Sequence, residues 1–139
     1  MAYWLFKSEP ATWSWDDQTA KGDAGEEWEG VRNYQARNFM RAMKLGDLGF
    51  FYHSQTDKAV VGIVEVSAEV HPDSKAGDPR WECVDIRAVR PFAEPVTLDQ
   101  IKADPRLADM VLVKNSRLSV QPVTPEEWRI VCELGGTKP

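Results

Sequence analysis

The stretch Trp28-Glu29-Gly30-Val31-Arg32-Asn33-Tyr34-Gln35-Ala36-Arg37-Asn38 crowds an aromatic ring, a glycine and several hydrogen-bonding side chains into one turn and the start of a helix. A flat, polar ligand such as a nucleobase finds there a face to stack on and donors for its edge. Trp28 supplies that face, unless it is a core or lid tryptophan. Unpaired carboxylates resist desolvation, so the flanking Glu27 and Glu29 argue for a partly exposed ring. Truncating Trp28 is then expected to weaken binding far more than the fold. Arg32 suits a phosphate or a base edge, or else a salt bridge to Glu29 or Glu9. Asn33 reads as a ligand contact or a helix N-cap, and Ser8 as a ligand contact or a turn residue. Arg37, Arg41 and Lys44 share one helix face, which is either a solvated face or a patch that steers a phosphate backbone.

Catalytic chemistry finds little support. Ser54, His53 and Asp57 are close in sequence, but neighbours in a strand point to opposite faces. There is no Gly-x-Ser-x-Gly elbow, no phosphate-cradling glycine loop and no paired-cysteine deaminase signature. His53 and His71, the only histidines, stand 18 residues apart with no cysteine or carboxylate at ligand spacing, so neither a metal nor a cofactor is expected. His53, at a strand end beside Ser54, is a ligand contact or a satisfied structural histidine.

The 139 residues suffice for one domain, 1–139, with its own core. Apolar residues at 42% and charged residues at 28% exclude a disordered chain. A net charge of −5 argues against wrapping duplex DNA by backbone electrostatics, yet leaves room for a site that takes one base or a short strand. At least four of the six tryptophans are expected in core and lid packing. Cys83 and Cys132 sit alone in apolar runs and read as buried free thiols. The N-terminal residues do not read as a leader and no run of about 18 apolar residues is present, so a cytoplasmic protein is expected, or a nucleocytoplasmic one in a eukaryotic host. A monomer or weak oligomer is expected.

The elements that would position these side chains alternate in type. Tyr3–Lys7 reads as a strand stopped by Ser8-Glu9-Pro10, and Ser14 caps a short helix with Asp17. Residues 21–30 form a polar loop. Ala36, Phe39, Met40 and Met43 recur at helical spacing, with Asn33 as cap and Gly46 as stop. Strands follow at Asp47–His53, Val60–Val70 and Trp81–Val89, with Gly62 marking a bulge or a close backbone approach. Thr97 with Gln100 opens a helix, Asp104-Pro105 caps a turn, and Met110–Lys114 and Leu118–Val120 read as short strands. Thr124-Pro125-Glu126-Glu127 begins a last helix, ended by Gly135. Short antiparallel strands with helices clipped to their ends fit a small, partly open barrel.

Lys7-Ser8-Glu9-Pro10, the Trp28–Asn38 stretch, Gly46-Asp47, Phe51-Tyr52-His53-Ser54 and Ser116-Arg117-Leu118-Ser119-Val120-Gln121-Pro122-Val123 together resemble the EVE domain family of the PUA-like superfamily. The resemblance runs through residues 2–134 and implies an α+β, PUA-like mixed/antiparallel pseudo-barrel of short strands with flanking helices, similar in fold to YTH domains. It also implies a non-catalytic domain that recognises a modified nucleobase, chiefly a modified cytosine, in DNA or RNA. The family's pocket positions fall here on Ser8, Trp28, Val31, Arg32, Asn33, His53, Ser54, Arg117, Leu118 and Ser119, with Arg32, Arg37, Arg41 and Lys44 (or Arg117) left for flanking phosphates. Gly49 departs from the family pattern, replacing a bulkier apolar residue in a way expected to loosen its strand. A protein-interaction module on the barrel surface and an enzyme acting on a nucleotide are the alternatives.

Overall fold

The computed structural model describes residues 1–115 and 117–139. Its frame is a six-stranded mixed sheet in the order β2-β5-β4-β3-β1-β6. These strands are β1 (Tyr3–Ser8), β2 (Glu26–Glu27), β3 (Leu48–His53), β4 (Ala59–Pro72), β5 (Glu82–Thr97) and β6 (Val120–Val123). All neighbours run antiparallel except β1 and β3, which pair in parallel from Tyr3↔Leu48 to Ser8↔His53. A parallel pair needs a long crossover, and this one carries α1 (Trp15–Ala20), β2 and α2 (Tyr34–Ala42). That crossover also carries the Trp28–Asn38 stretch.

Alternation along the strands splits the core in two. Leu5, Phe50, Tyr52, Val60 and Ile63 pack with Ile101 of α3 (Leu98–Ala103) and with Trp128, Ile130 and Val131 of α5 (Pro125–Leu134). Trp4, Phe6, Phe51, Val64 and Val66 pack on the other face with Ala36 and Met40 of α2, Trp28 and Val31. Every helix but α4 (Val111–Lys114) starts where a side chain can accept its orphan amides. Ser14 with Asp17, Thr97 with Gln100 and Thr124 with Glu127 form complete capping boxes, and the Asn33 side chain accepts from the Ala36 amide at 2.9 Å.

Four expectations about the elements are corrected. α2 ends at Ala42, short of Gly46, because Met43 turns extended into the core; the buried Asp47 carboxylate then accepts from the Lys44 amide and the Trp4 indole, each at 3.0 Å. β5 does not stop at Val89 but continues through Pro91 and Pro95 to Thr97, so it and β4 are long strands of 16 and 14 residues. A register shift between Val60 and Gly62 leaves Pro95 without a β4 partner, while Pro91 stands opposite Gly62 at the edge of that shift. Met110–Lys114 is not a strand: Val111–Lys114 forms a single helical turn, α4. The strand placed at Leu118–Val120 instead begins at Val120 and pairs with β1.

Gly62 fulfils both readings. The β3–β4 register slips beside it, and a Cβ there would run into the Trp15 ring. Gly49 does the opposite of loosening its strand, since a Cβ would stand 2.6 Å from the Phe6 ring, which fills that space. Cys83 and Cys132 are buried free thiols. No helix among the described residues is long and apolar enough to cross a membrane.

Candidate nucleobase-binding cleft

β1 lies between β3 and the edge strand β6, and three connections converge on its end. The loop after β1 brings Glu9, Thr12 and Trp13; the β2–α2 connection brings Trp28 to Arg32; the turn before β6 brings Ser119. Between them lies a cleft of about 600 Å³, a size suited to a small planar ligand. Lys7 and Ser8 form its β1 side.

Trp28 is 8% exposed, so the expectation of a partly exposed ring is wrong. The ring packs edge-on against Phe6 and Phe51, with centroids at 5.3 and 5.8 Å, while still lining the cleft. The flanking carboxylates do not prevent burial because they are satisfied elsewhere. Glu27 accepts from the Ser74 hydroxyl at 2.6 Å and Glu29 pairs with Lys75 at 3.1 Å. Trp28→Ala would therefore strike the fold as well as the cleft, against expectation, because emptying a buried aromatic site costs about 3–5 kcal/mol.

Of the sequence-derived positions, Ser8, Trp28, Val31, Arg32 and Ser119 share the cleft wall. The Ser8 hydroxyl donates to the Trp13 carbonyl, and the Ser119 carbonyl accepts from the Lys7 amide at 2.9 Å. Arg32 pairs with neither Glu29 nor Glu9 but with Asp73, whose side chain is fully buried. Asp73 also accepts from the Gly30 amide at 3.0 Å and the Lys75 amide at 2.9 Å, so one carboxylate fixes the β2–α2 connection to the β4–β5 loop. Burial opposes the charge on Asp73, but these donors outweigh it and hold its carboxyl below the usual value.

The other positions fall elsewhere. Asn33 is an exposed N-cap and Leu118 a buried core residue, while Arg117 is exposed off the cleft wall; Ser116, which opens that matched segment, lies outside the described residues. His53 accepts from the Trp15 amide through Nε2 at 3.0 Å and reaches Asp57 through Nδ1 at 2.8 Å, which makes it a structural histidine. Ser54 donates its amide and its hydroxyl to the Ser8 carbonyl, at 2.8 and 3.2 Å. The basic stripe is broken up: Arg41 pairs with Glu82, Arg37 donates to the Arg80 carbonyl, and Lys44 lies beyond the end of α2.

Sequence reasoning missed Lys7, Thr12, Trp13, Lys75 and the cleft-facing Glu9, Glu26, Glu27 and Glu29. Trp13 had a signal in its spacing. Gln18, one turn into α1, accepts its indole N–H at 2.9 Å and itself donates to the Ile86 carbonyl at 3.0 Å, which pins the ring to the wall. Burial lowers the Lys7 ammonium below its ordinary value. Lys75 had no signal, since only the long β4–β5 hairpin returns it to the cleft.

Strand register also assembles donors that no local spacing announced. His71 lies opposite Cys83, and with Glu27 and Asp85 each contributes one ligand-type atom within 4.8 Å of the others. Hydrogen bonds already engage this set. His71 Nε2 meets Asp85 at 2.7 Å and Nδ1 meets the Pro72 carbonyl at 3.0 Å, so each ring nitrogen faces an acceptor. Burial disfavours the imidazolium, but Asp85, the Pro72 carbonyl and Glu27 together raise its pKa. Burial first, and the surrounding carboxylates after it, push the Cys83 thiol up to about 12. A raised imidazole pKa and a raised thiol pKa both favour the protonated groups, whereas a metal would need them deprotonated.

Residues 2–134 match the EVE domain family. Mouse thymocyte nuclear protein 1 is 37% identical over 99% of the chain and 75% of its own length. A crystal structure of a protein from Agrobacterium tumefaciens superposes with a TM-score of 0.97 at 63% identity, covering 99% of this chain and 94% of that one. The human THYN1 protein, in complex with 5-methylcytosine containing DNA, superposes with a TM-score of 0.90 at 35% identity, covering 100% of both chains. A YTH domain from Zygosaccharomyces rouxii, at 17% identity and a TM-score of 0.60, shares the fold, as the PUA-like reading expects. By sequence and by architecture alike, the chain belongs to the EVE domain family.

Proposed function

We propose that residues 1–139 act as a single, non-catalytic domain that binds DNA carrying 5-methylcytosine and takes the modified base into the cleft beside Trp28. The observation that carries this reading is the convergence of Ser8, Trp28, Val31, Arg32 and Ser119 on one wall. The human relative in complex with 5-methylcytosine containing DNA supports the choice of ligand.

The chemistry of the wall suits cytosine. Its exocyclic amine donates, and Glu9, Glu26, Glu27 and Glu29 offer acceptors; its ring nitrogen and carbonyl accept, and Lys7, Arg32 and Lys75 offer donors. Trp28 and Val31 give the added methyl an apolar neighbour. That methyl is worth roughly 1 kcal/mol of preference, about a fivefold difference in affinity.

The test is a titration of short single- and double-stranded DNA and RNA, each with and without one 5-methylcytosine. Tighter binding of methylated DNA is expected, and its loss in Ser119→Phe, which fills the cleft from a turn while leaving both core clusters alone. Equal affinity for methylated and plain strands, or a filled-cleft variant that binds as well as the parent, would refute the proposal. Preferential binding of methylated RNA would move the substrate from DNA to RNA.

A further inference from the structure

Where the N-terminus of α2 meets the entry to β5, Tyr34 and Trp81 stack at 5.0 Å with an interplanar angle of 28°. Arg37 lies over Tyr34 at 4.7 Å, and Arg32 and Arg80 lie over Trp81 at 5.7 and 5.9 Å. Tyr34 is 50% exposed, and the Arg32 and Arg80 side chains are 41% and 58% exposed. Three guanidiniums thus gather on two rings at the surface of a chain whose net charge is −5.

Each cation is anchored by neighbouring groups of the protein. Arg32 spends Nη1 on Asp73 and the Val31 carbonyl, and among the described residues its Nε and Nη2 meet no hydrogen-bond partner. Arg80 is braced by Asp78 through Nε and Nη2 and donates from Nη1 to the Tyr34 hydroxyl at 3.4 Å, while Arg37 donates from Nη1 to the Arg80 carbonyl. Aromatic rings under the guanidiniums favour the cations and limit their freedom, which readies them for a phosphate. Arg32 also lines the cleft, so the cluster continues from the cleft without a break.

We propose that Arg32, Arg37 and Arg80, racked on the Tyr34–Trp81 pair, form the docking face for the phosphate backbone of the DNA strand whose base enters the cleft. This rests on the base-binding reading of the cleft and adds to it a contribution blind to sequence and to methylation. The face replaces the α2 stripe, from which Arg41 and Lys44 drop out.

The experiment measures affinity of the full chain for a short single-stranded DNA with one 5-methylcytosine, its unmethylated twin and the matching RNA, across a range of salt concentrations. Arg80→Gln and Tyr34→Ala should each weaken both DNA strands by the same factor, roughly two- to fivefold. Each lost phosphate contact should make the log–log salt slope shallower by about 0.7. Preference for the methylated strand should stay unchanged, with thermal unfolding confirming that both variants are folded. Parental affinity and slope in both variants, or an altered methyl preference, would overturn the docking face. If the parent prefers methylated DNA while the variants behave like it, only the docking face falls; if the parent binds no strand, the base-binding reading falls with it. RNA bound as tightly and with equal sensitivity would overturn the assignment to DNA.

Discussion

Burial by itself drives an imidazole toward neutrality, yet His71 goes the other way because Asp85, the Pro72 carbonyl and Glu27 surround it. Its folded pKa lies above the ordinary value of 6.5, and this fixes the sign of its contribution to stability. The stabilisation is fully present below pH ~6.5 and disappears as the pH rises through the folded value. Urea unfolding of the parent and of His71→Gln should therefore differ most in mild acid and converge in base. The side chain is about one-third exposed, so the difference should not exceed about 1 kcal/mol. A gap that widened with pH would contradict the imidazolium. The effect bears on the cleft through Glu27, the residue before Trp28.

Gly49 and Phe6 form a lock between β3 and β1, which pair in parallel, and Phe6 in turn braces Trp28. Gly49→Ala should overpack that contact and destabilise the protein by about 1–3 kcal/mol in denaturant titration, with weaker ligand binding as Trp28 shifts. Parental stability would mean that the ring has room to move. Elements specified by neighbours in sequence were readable from it, as the three capping boxes and the Asn33 cap illustrate, since both partners of each lie within four residues. Elements specified by distant pairing were not. Pro91 and Pro95 look like strand breakers until register shifts against β4 accommodate them. The apolar run Val111–Val113 suits a strand or a helix equally, and only its surroundings decide. The cleft divides the same way. Ser8, Trp28, Val31, Arg32 and Ser119 carried family motifs, whereas Lys75 depends on the path of a long hairpin and Trp28's burial on where Glu27 and Glu29 find partners.

For the molecule as a whole, a ligand bound only by the folded state adds to its stability. Methylated DNA at about 100 times its Kd should contribute about 2.7 kcal/mol and raise the thermal midpoint, while the plain strand at equal concentration raises it less. Identical midpoints would argue that the cleft does not distinguish the two. The cleft draws on both ends of the chain, with Ser8 at the close of β1 and Ser119 just ahead of β6, which pairs back onto β1 from Tyr3 to Phe6. During synthesis on a ribosome, β1 emerges well before β6, and its outer edge stays open until β6 has been made and pairs with it. A chain stopped before β6 carries the Trp28 motif but lacks Ser119, so the cleft is left without one of its walls.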